Sequence, residues 1–315
     1  MKKIFLLSLF LFNFSFLIFN CSAQQLPLSN QYTINKFSLS PAYAGVGGAF
    51  EVFGTYRNDW MNIPGAPETK MISADGLVCK NMGIGGTISS IEAGVFRNQS
   101  ATFSYAYHLK LGTAQTLSFG LGLGLLESHV DVTSPAAQAD PVAANNQNVN
   151  SLVPDASFGI LYRYNNFSAG ISLPRMLGST IKNADGKTVY ALAPQQSVHL
   201  GYKYSFNADW AIDPMLKISM VQNAPLFYEI ALPVIYKEKI WFTPIYKKSS
   251  MAFGLGGIPY NNFIVQYTYE FSSMGIMGQS GGTHEITIGW KMFAKKKSEV
   301  PDPDSKKPYY KWISK

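Results

Sequence analysis

The chain has 315 residues, of which 47% are hydrophobic, 14% aromatic and only 14% charged, and its formal net charge is +7. This composition is too apolar for a disordered chain, and 27 glycines and 17 prolines are too many for a helical bundle. Only the N-terminus carries an apolar run near the roughly 20 residues of a membrane-spanning helix, which excludes a helical membrane protein and leaves a secreted β-rich domain or a membrane β-barrel.

Residues 1–23 are interpreted as a secretory signal peptide. Lys2 and Lys3 precede the apolar run from Ile4 to Phe19, and small residues at Cys21 to Ala23 fit the positions that a signal peptidase reads. We therefore expect cleavage after Ala23 and export of the mature chain.

The two cysteines bear on how the exported chain is held. Cys21 also allows a lipoprotein, although Asn20 stands where a small residue is normally required before a lipidated cysteine. After cleavage at Ala23, Cys79 is the sole mature cysteine, so neither an intramolecular disulfide nor a cysteine-based zinc cluster is expected.

Residues 24–48 precede the first predicted strand and are assigned to the periplasm. The segment is too short for a separate plug domain. We expect it to tuck into the periplasmic mouth of a barrel through Tyr32, Phe37 and Tyr43.

Residues 49–293 alternate apolar and polar side chains with a period of two, which is typical of β-strands with one apolar and one polar face. The stretches from Ala101 to Leu111 and from Leu117 to Leu125 are clear examples. Leu121 and Tyr267 are predicted to face lipid and Gln266 the lumen, where a substitution to arginine should be the milder one. Segmentation at turn residues gives fourteen strands, near 49–60, 69–78, 82–91, 97–111, 115–130, 154–164, 167–174, 196–206, 210–222, 226–237, 240–248, 251–259, 263–272 and 282–292.

The connections between the predicted strands differ in length by parity. All connections after even-numbered strands are short, whereas the long ones, such as 132–153 and 175–195, follow odd-numbered strands. Outer-membrane barrels have short periplasmic turns and longer extracellular loops. The pattern therefore favours a transmembrane, outer-membrane β-barrel of about 14 antiparallel strands.

A soluble β-sandwich would show the same alternation, but its strands are usually about five or six residues long, and several here reach about ten or more. Aromatic residues near strand ends also suggest lipid-interface girdles. These residues are Trp60, Tyr107, Tyr162, Tyr164, Tyr202, Tyr204, Phe206, Trp210, Tyr236, Trp241 and Trp290.

The predicted inward positions carry charges of both signs, which must pair or stay hydrated. A salt-bridged interior and a conducting pore both remain open as interpretations. The inward charged residues are Lys110, Arg163, Lys203, Asp213, Lys217, Glu229, Glu270, Glu285 and Lys291.

Residues 294–315 form a basic tail, which is assigned to the periplasm if fourteen strands are right. Seven lysines and three acidic residues give it a charge of +4, so most of the basicity of the protein lies here and no nucleic-acid partner is expected. The tail is either a disordered extension or a docking peptide anchored by Tyr309, Tyr310 and Trp312.

Several short motifs resemble landmarks of the PorP/SprF-like proteins of the Bacteroidetes type IX secretion system. The N-terminal signature is Ser40 to Gly45, then Tyr56-Arg57 with Trp60, and Gly65 to Pro67 followed by Thr69. Later landmarks are Pro214 with Lys217, Asn223 to Leu226, and Gly282 to Glu285. The sequence departs from the family pattern at Ser40, where the family usually has Asn, and in its longer basic tail.

The resemblance implies a non-enzymatic outer-membrane barrel that supports secretion or cell-surface anchoring of client proteins, such as gliding adhesins. The implied partners are outer-membrane lipid, the periplasmic secretion machinery and secreted clients or their C-terminal domains. An outer-membrane porin or lipophile transporter is the alternative. The candidate partner-binding or family-motif residues are Pro41, Tyr43, Gly45, Arg57, Trp60, Gly65, Pro67, His284, Glu285, Tyr309, Tyr310 and Trp312.

No catalytic, cofactor or metal site is predicted, because no HExxH helix, paired cysteines or Gly-x-Ser-x-Gly turn occurs. His199 and His284 are expected to face the lumen or a rim and to bond to a neighbouring carboxylate such as Glu285. Arg57 and Trp60 allow two interpretations: a partner-binding rim, or an arginine paired inside the barrel beside an interface tryptophan.

Overall fold

A computed structural model describes residues 29–130, 149–178, 180–182, 188–191, 194–221, 224–272 and 280–292. The signal peptide and the basic tail of the sequence analysis lie outside these residues. In the described part of the chain, no helix is long and apolar enough to cross a membrane.

The fold is a closed antiparallel β-barrel of fourteen strands, as the sequence predicted. The strands are β1 (Phe50–Asn58), β2 (Glu68–Cys79), β3 (Met82–Ala93), β4 (Phe96–Lys110), β5 (Gln115–Val130), β6 (Val149–Tyr164), β7 (Phe167–Leu173), β8 (Gln195–Tyr202 and Tyr204–Ser205), β9 (Trp210–Ile212 and Met215–Val221), β10 (Phe227–Ala231 and Val234–Tyr236), β11 (Ile240–Lys247), β12 (Ser250–Tyr260), β13 (Phe263–Ser272) and β14 (Thr283–Met292). A small hairpin of Thr180–Lys182 and Thr188–Ala191 lies in the connection between β7 and β8.

The barrel closes where β1 pairs with β14, and complementary inward side chains fix the register of this seam. Arg57 lies opposite Glu285 and Thr55 opposite Thr287, with 3.0 Å between the two hydroxyl oxygens. At the far end of the seam, Lys291 Nζ lies 2.8 Å from Glu51 Oε1. A shift of one residue would move every one of these side chains to the other face of the sheet.

The apolar faces of the strands point outward, as the alternation predicted. Phe103, Leu121, Leu123 and Tyr267 are among the exposed hydrophobic residues, whereas their polar or small neighbours are buried or half-buried. Trp241 is the exception in the predicted girdle. It points inward and its Nε1 donates to Gln266 Oε1 at 2.7 Å, because Phe242 and its alternate neighbours occupy the outer face of β11.

The wall formed by β2 to β6 is taller than the rest of the barrel. These strands have 12 to 16 residues, and their last outward apolar row is Ile72, Ile88, Ala101 and Leu125. On β2 to β5 the next two outward rows are polar, so these strands continue beyond the apolar band, whereas β6 has the exposed Leu152 opposite Glu127. The residues of the two polar rows are Lys70, Ser90, Gln99 and Glu127, then Glu68, Glu92, Arg97 and His129.

The connections follow the predicted parity. At one end, here called the short-turn end, every connection has two to four residues; the long connections 59–67, 131–148, 174–194 and 273–282 all lie at the other end, the long-loop end. β6 begins at Val149 rather than near residue 154, because Val149 pairs with Val130 of the tall wall.

Prolines interrupt the ladder at one level of the wall from β8 to β11. The carbonyl oxygens of Pro214, Pro233 and Pro244 accept backbone bonds of 3.0 to 3.1 Å, but proline has no N–H to return. The register is the same on both sides of each break, so β9 and β10 remain single barrel strands made of two pieces.

The main apolar core lies inside the barrel rather than between layers. Residues before β1 form three short 3-10 turns, Gln31–Thr33, Lys36–Leu39 and Pro41–Tyr43, and their side chains supply much of this core. They pack on small or apolar inward residues of the strands, among them Ala106 and Leu161.

Candidate functional site

The interior of the barrel is occupied by residues 29–49, which we call the lumenal segment. Lys36 Nζ lies 2.7 Å from Oδ2 of Asp213, between the two pieces of β9, and the ring of Tyr43 lies 5.3 Å from that of His199 in β8. Other contacts, described below, reach β1, β2, β4, β5, β6, β13 and β14. A segment that touches strands around the circumference of a closed barrel lies inside it.

This placement differs from the expectation of a segment at the periplasmic mouth. The segment runs through the barrel from the long-loop end to the short-turn end, where Phe50 begins β1. About twenty residues at about 2 Å each, the rise of a 3-10 helix, cover about 40 Å, which exceeds the roughly 25 Å apolar band of such barrels. A segment too short for a domain is therefore long enough to thread the lumen.

The proline-containing turn of the segment sits against inward glycines. Ser40 Oγ accepts from the N–H of Ala42 at 3.2 Å, and Pro41 occupies the first position of the 3-10 turn, where no N–H is needed. A Cβ on Gly120 would overlap the backbone of Pro41 and Ala42, and a Cβ on Gly159 would overlap the Ser40 hydroxyl. This contact is not predicted from the sequence, although glycine at inward strand positions is a signal of close backbone approach.

Two buried side chains hold the backbone where the turn ends. Gly45 adopts a φ of +75°, and its N–H donates to Asp75 Oδ2 of β2 at 2.8 Å. The carbonyl of Ala44 accepts from His108 Nε2 of β4 at 2.9 Å, so His108 Nδ1 is left to pair with the Ser118 hydroxyl at 2.8 Å. His108 of β4 therefore joins the lumenal segment to β5 through its two ring nitrogens.

Toward the long-loop end, an ion-pair cluster is formed by Arg57, Asp59, Lys247, Glu270 and Glu285. Arg57 Nη2 lies 2.7 Å from Asp59 Oδ1, and Arg57 Nη1 lies 3.0 Å from Glu270 Oε2 and 3.2 Å from Glu285 Oε2. Lys247 Nζ lies 2.8 Å from Glu270 Oε2. The cluster joins β1, β11, β13 and β14. It confirms the interpretation of Arg57 as an arginine paired inside the barrel, and its side chain is only 2% exposed.

The first residues of the lumenal segment complete this cluster. The backbone N–H of Asn30 lies 2.9 and 3.0 Å from the two Glu285 oxygens, and Asn30 Nδ2 donates to Glu270 Oε2 at 3.1 Å. Ser29 Oγ donates to Glu285 Oε1 at 3.2 Å. Two cations and three carboxylates leave one excess negative charge, and these donors solvate it where water is limited.

Between these ends, side-chain amides join the segment to the seam. Gln31 Oε1 accepts from Thr55 Oγ1 of β1 at 3.0 Å, and Asn35 Nδ2 donates to Ser73 Oγ of β2 at 2.9 Å. Gln266 Nε2 of β13 donates to Thr33 Oγ1 at 3.2 Å. The segment is thus bonded to both sides of the β1–β14 closure.

The two most distant family-like landmarks meet at the long-loop end. The N–H of Trp60 donates to Thr283 Oγ1 at 3.2 Å, Met61 N–H donates to Gly282 O at 2.8 Å, and Gly281 N–H donates to Met61 O at 2.7 Å. Barrel closure makes β1 and β14 neighbours, so residues more than 200 positions apart form one rim. Periodicity alone carries no signal for this contact.

The rim loop, residues 59–67, carries Trp60, Gly65 and Pro67. Trp60 and Gly65 are exposed and Pro67 is half-buried. The loop is ordered by backbone bonds: Pro67 O accepts from Asp59 N–H at 2.9 Å, and Gly65 O accepts from Gly94 N–H at 2.9 Å. It presents an exposed, structured surface that includes Met61.

His284 lies on the outer face of the rim, not in the lumen. Its Nδ1 lies 2.6 Å from the Tyr267 hydroxyl and its Nε2 donates to Gly281 O at 3.2 Å. The expected bond to Glu285 is wrong, because adjacent residues of a strand point to opposite faces and Glu285 turns inward to Arg57. His199 is buried, and neither ring nitrogen has a hydrogen-bond partner among the described residues.

The predicted site residues that the structure describes separate into three groups. Pro41, Tyr43 and Gly45 are buried in the lumenal segment, and Arg57 and Glu285 in the ion-pair cluster. The rim holds Trp60, Gly65, Pro67 and His284, whereas Tyr309, Tyr310 and Trp312 lie outside the described residues. Within the described ranges, no three His, Cys, Asp or Glu side chains are grouped to hold a metal ion.

Comparison with known protein families gives one match of nearly full length. The family model of the type IX secretion system membrane protein PorP/SprF matches residues 21–290. A search of curated protein sequences gives no match.

Comparison with solved structures returns outer-membrane barrels. The CymD monoaromatic hydrocarbon channel has a TM-score of 0.50 at 11% identity and covers 87% of this chain and 95% of its own. A FadL homologue of Pseudomonas aeruginosa has a TM-score of 0.49 at 9% identity, and the match covers 84% of this chain and 95% of the homologue. The P. putida toluene transporter TodX has a TM-score of 0.45 at 11% identity, covering 85% and 95%. At these identities the likeness concerns the fold alone.

Proposed function

This chain belongs to the PorP/SprF family of type IX secretion system membrane proteins, and from that membership we propose that it is a non-enzymatic docking barrel of the outer membrane. In this role it supports secretion or surface anchoring of client proteins, such as gliding adhesins, through their C-terminal domains. It also engages the periplasmic part of the secretion machinery.

The observation that carries this proposal is the occupied lumen. The lumenal segment fills the barrel with buried core residues, and the Lys36–Asp213 ion pair and several hydrogen bonds tie it to strands around the wall. An open diffusion channel needs a continuous hydrated path. In a barrel filled by its own chain, the rims and the tail are the surfaces left for binding partners. This favours docking over conduction as the function of the barrel.

Two surfaces suit the two kinds of partner. The rim loop presents exposed Trp60 and Met61 at the long-loop end, and aromatic residues are enriched where proteins bind one another. The basic tail, residues 294–315, follows β14 at the opposite end and carries Tyr309, Tyr310 and Trp312. We assign the rim to exported clients and the tail to periplasmic machinery.

Complementation of a deletion strain tests the rim. Trp60→Ala should reduce recovery of client proteins at the surface or in the medium while the barrel level stays normal. Tyr260→Ala is the matched control, because Tyr260 is an exposed aromatic residue at the short-turn end. Equal effects of the two substitutions on client recovery would count against rim docking.

Planar-bilayer recording tests the alternative of a porin or lipophile transporter. The purified full chain should give no large, stable single-channel steps, because the lumenal segment occupies the conduction path. Regular large steps from the folded protein would contradict the docking barrel and favour the channel.

A further inference from the structure

The direction in which the lumenal segment enters the barrel has a topological consequence. Ser29 and Asn30 bond to Glu285, the third residue of β14, and this carboxylate is also paired with Arg57 near the end of β1. Both strand positions lie next to the rim loop. The first described residue of the segment is therefore at the long-loop end.

The other end of the segment lies at the opposite mouth. Ala44 and Gly45 contact His108 near the end of β4 and Gly83 near the start of β3, both beside short turns. The chain then passes through Ala49 into β1, which runs back toward the long loops. The segment and β1 are thus two successive crossings of the same barrel, one inside and one in the wall.

We infer that the lumenal segment enters from the cell-surface mouth, so that Ser29 is accessible from outside the cell. The inference reverses the sequence-based placement of residues 24–48 in the periplasm. It rests on the barrel geometry and on the rule that long loops face the exterior, not on the proposed docking function. It adds the half-buried start of the lumenal segment, as a second element beside the rim loop, to the surface available to extracellular partners.

Cysteine labelling on intact cells tests the inference. Ser29→Cys and, as the surface control, Pro64→Cys are each made in a Cys79→Ala background, and a small membrane-impermeant maleimide is added. Pro64 is exposed in the rim loop, whereas Cys79 of the wild type is exposed at the short-turn end and serves as the periplasmic control. Heat-modifiable migration shows that each barrel is folded.

We expect labelling of the Ser29 and Pro64 variants on intact cells, and labelling of Cys79 only after the outer membrane is permeabilised. Labelling of the Ser29 variant only after permeabilisation, or in neither condition while the barrel is folded, would overturn the inference. Labelling of Cys79 on intact cells would overturn it as well, since the barrel would then be inverted.

A second variant keeps the test independent of cysteine chemistry and of tolerance at Ser29. An epitope inserted between Leu28 and Ser29 should be bound by antibody on intact cells. Binding that requires permeabilisation would place the entry in the periplasm and contradict the inference. A failure of client secretion with surface-labelled Ser29 would bear only on the docking proposal.

Discussion

Arg57 joins the two strands that close the barrel, β1 and β14. It pairs with carboxylates of β13 and β14 while lying on β1, and it is 2% exposed. Arg57→Ala leaves Glu285 buried without its cation, a loss that typically costs about 3 to 5 kcal/mol. Urea unfolding of the barrel folded into lipid vesicles should show this destabilisation.

Arg97→Ala is the matched control for that measurement. Arg97 also pairs with a glutamate, Glu92, at 3.1 Å, but its side chain is 54% exposed. Exposed ion pairs are worth at most about 1 kcal/mol, so the unfolding midpoint should barely move. Similar midpoints for the Arg57 and Arg97 variants would mean that the cluster is hydrated and does not hold the seam.

A substitution at Gly120 tests whether the lumenal segment packs on β5 as described. A Cβ there meets backbone of Pro41 and Ala42, which cannot swing aside as a side chain can, so Gly120→Ala should cost about 1 to 3 kcal/mol. Gly54→Ala, on the outer face of β1 with no atom within 4 Å of the new Cβ, should change stability by no more than about 0.5 kcal/mol. Vesicle unfolding compares the two. An equal, small effect would show that the segment is not seated on β5.

At the scale of strands, the cost of a charged residue on the outer face should depend on whether its position lies inside or beyond the apolar band. Leu121→Arg places a cation within the apolar band and should cost about 2 to 4 kcal/mol. Gln99→Arg, two residues beyond the last apolar position of β4, should cost about 0 to 1 kcal/mol. Folding yield into vesicles and unfolding midpoints measure both; equal tolerance would contradict the border at Ala101 and Leu125.

The inner face of the barrel is less tolerant of substitution than the polarity of its residues suggested. Gln266→Arg looked mild for a lumen-facing position, but Gln266 is buried, accepts from Trp241 Nε1 and donates to Thr33 of the lumenal segment. An arginine there has no empty lumen to enter. The expectation of mildness therefore no longer holds, and both faces of β13 are constrained.

For the whole molecule, removal of the tail separates folding from docking. Deletion of residues 298–315 should leave heat-modifiable folding unchanged, because β14 ends at Met292, while client secretion or partner recovery falls. Replacement of Tyr309, Tyr310 and Trp312 by alanine retains the lysines and should give the same loss if aromatic anchoring is the cause. Unchanged recovery in both variants would leave the tail as a disordered extension.

The sequence was informative about the wall of the barrel and much less about its contents. Alternation is a local pattern, so the strands, their outward faces and the parity of their connections were predicted from neighbouring residues. The bonds of Asn30 to Glu270 and Glu285 join residues more than 230 positions apart, and short 3-10 turns impose no period that would reveal them. The alternation places Gly120 on the inner face of β5, but it does not identify Pro41 and Ala42 as the residues packed on it.

The enclosure of the lumenal segment also constrains the order of assembly. A chain inside a closed ring must be in place when the ring is sealed or be threaded afterwards past the buried Arg57 cluster. The carboxylates that receive Asn30 arrive only with the last hairpin, β13 and β14. The lumenal segment can therefore form its bonds to Glu270 and Glu285 only after β13 and β14 have been added. Burial of the start of the chain and pairing of β1 with β14 are then steps of the same event, the closure of the barrel.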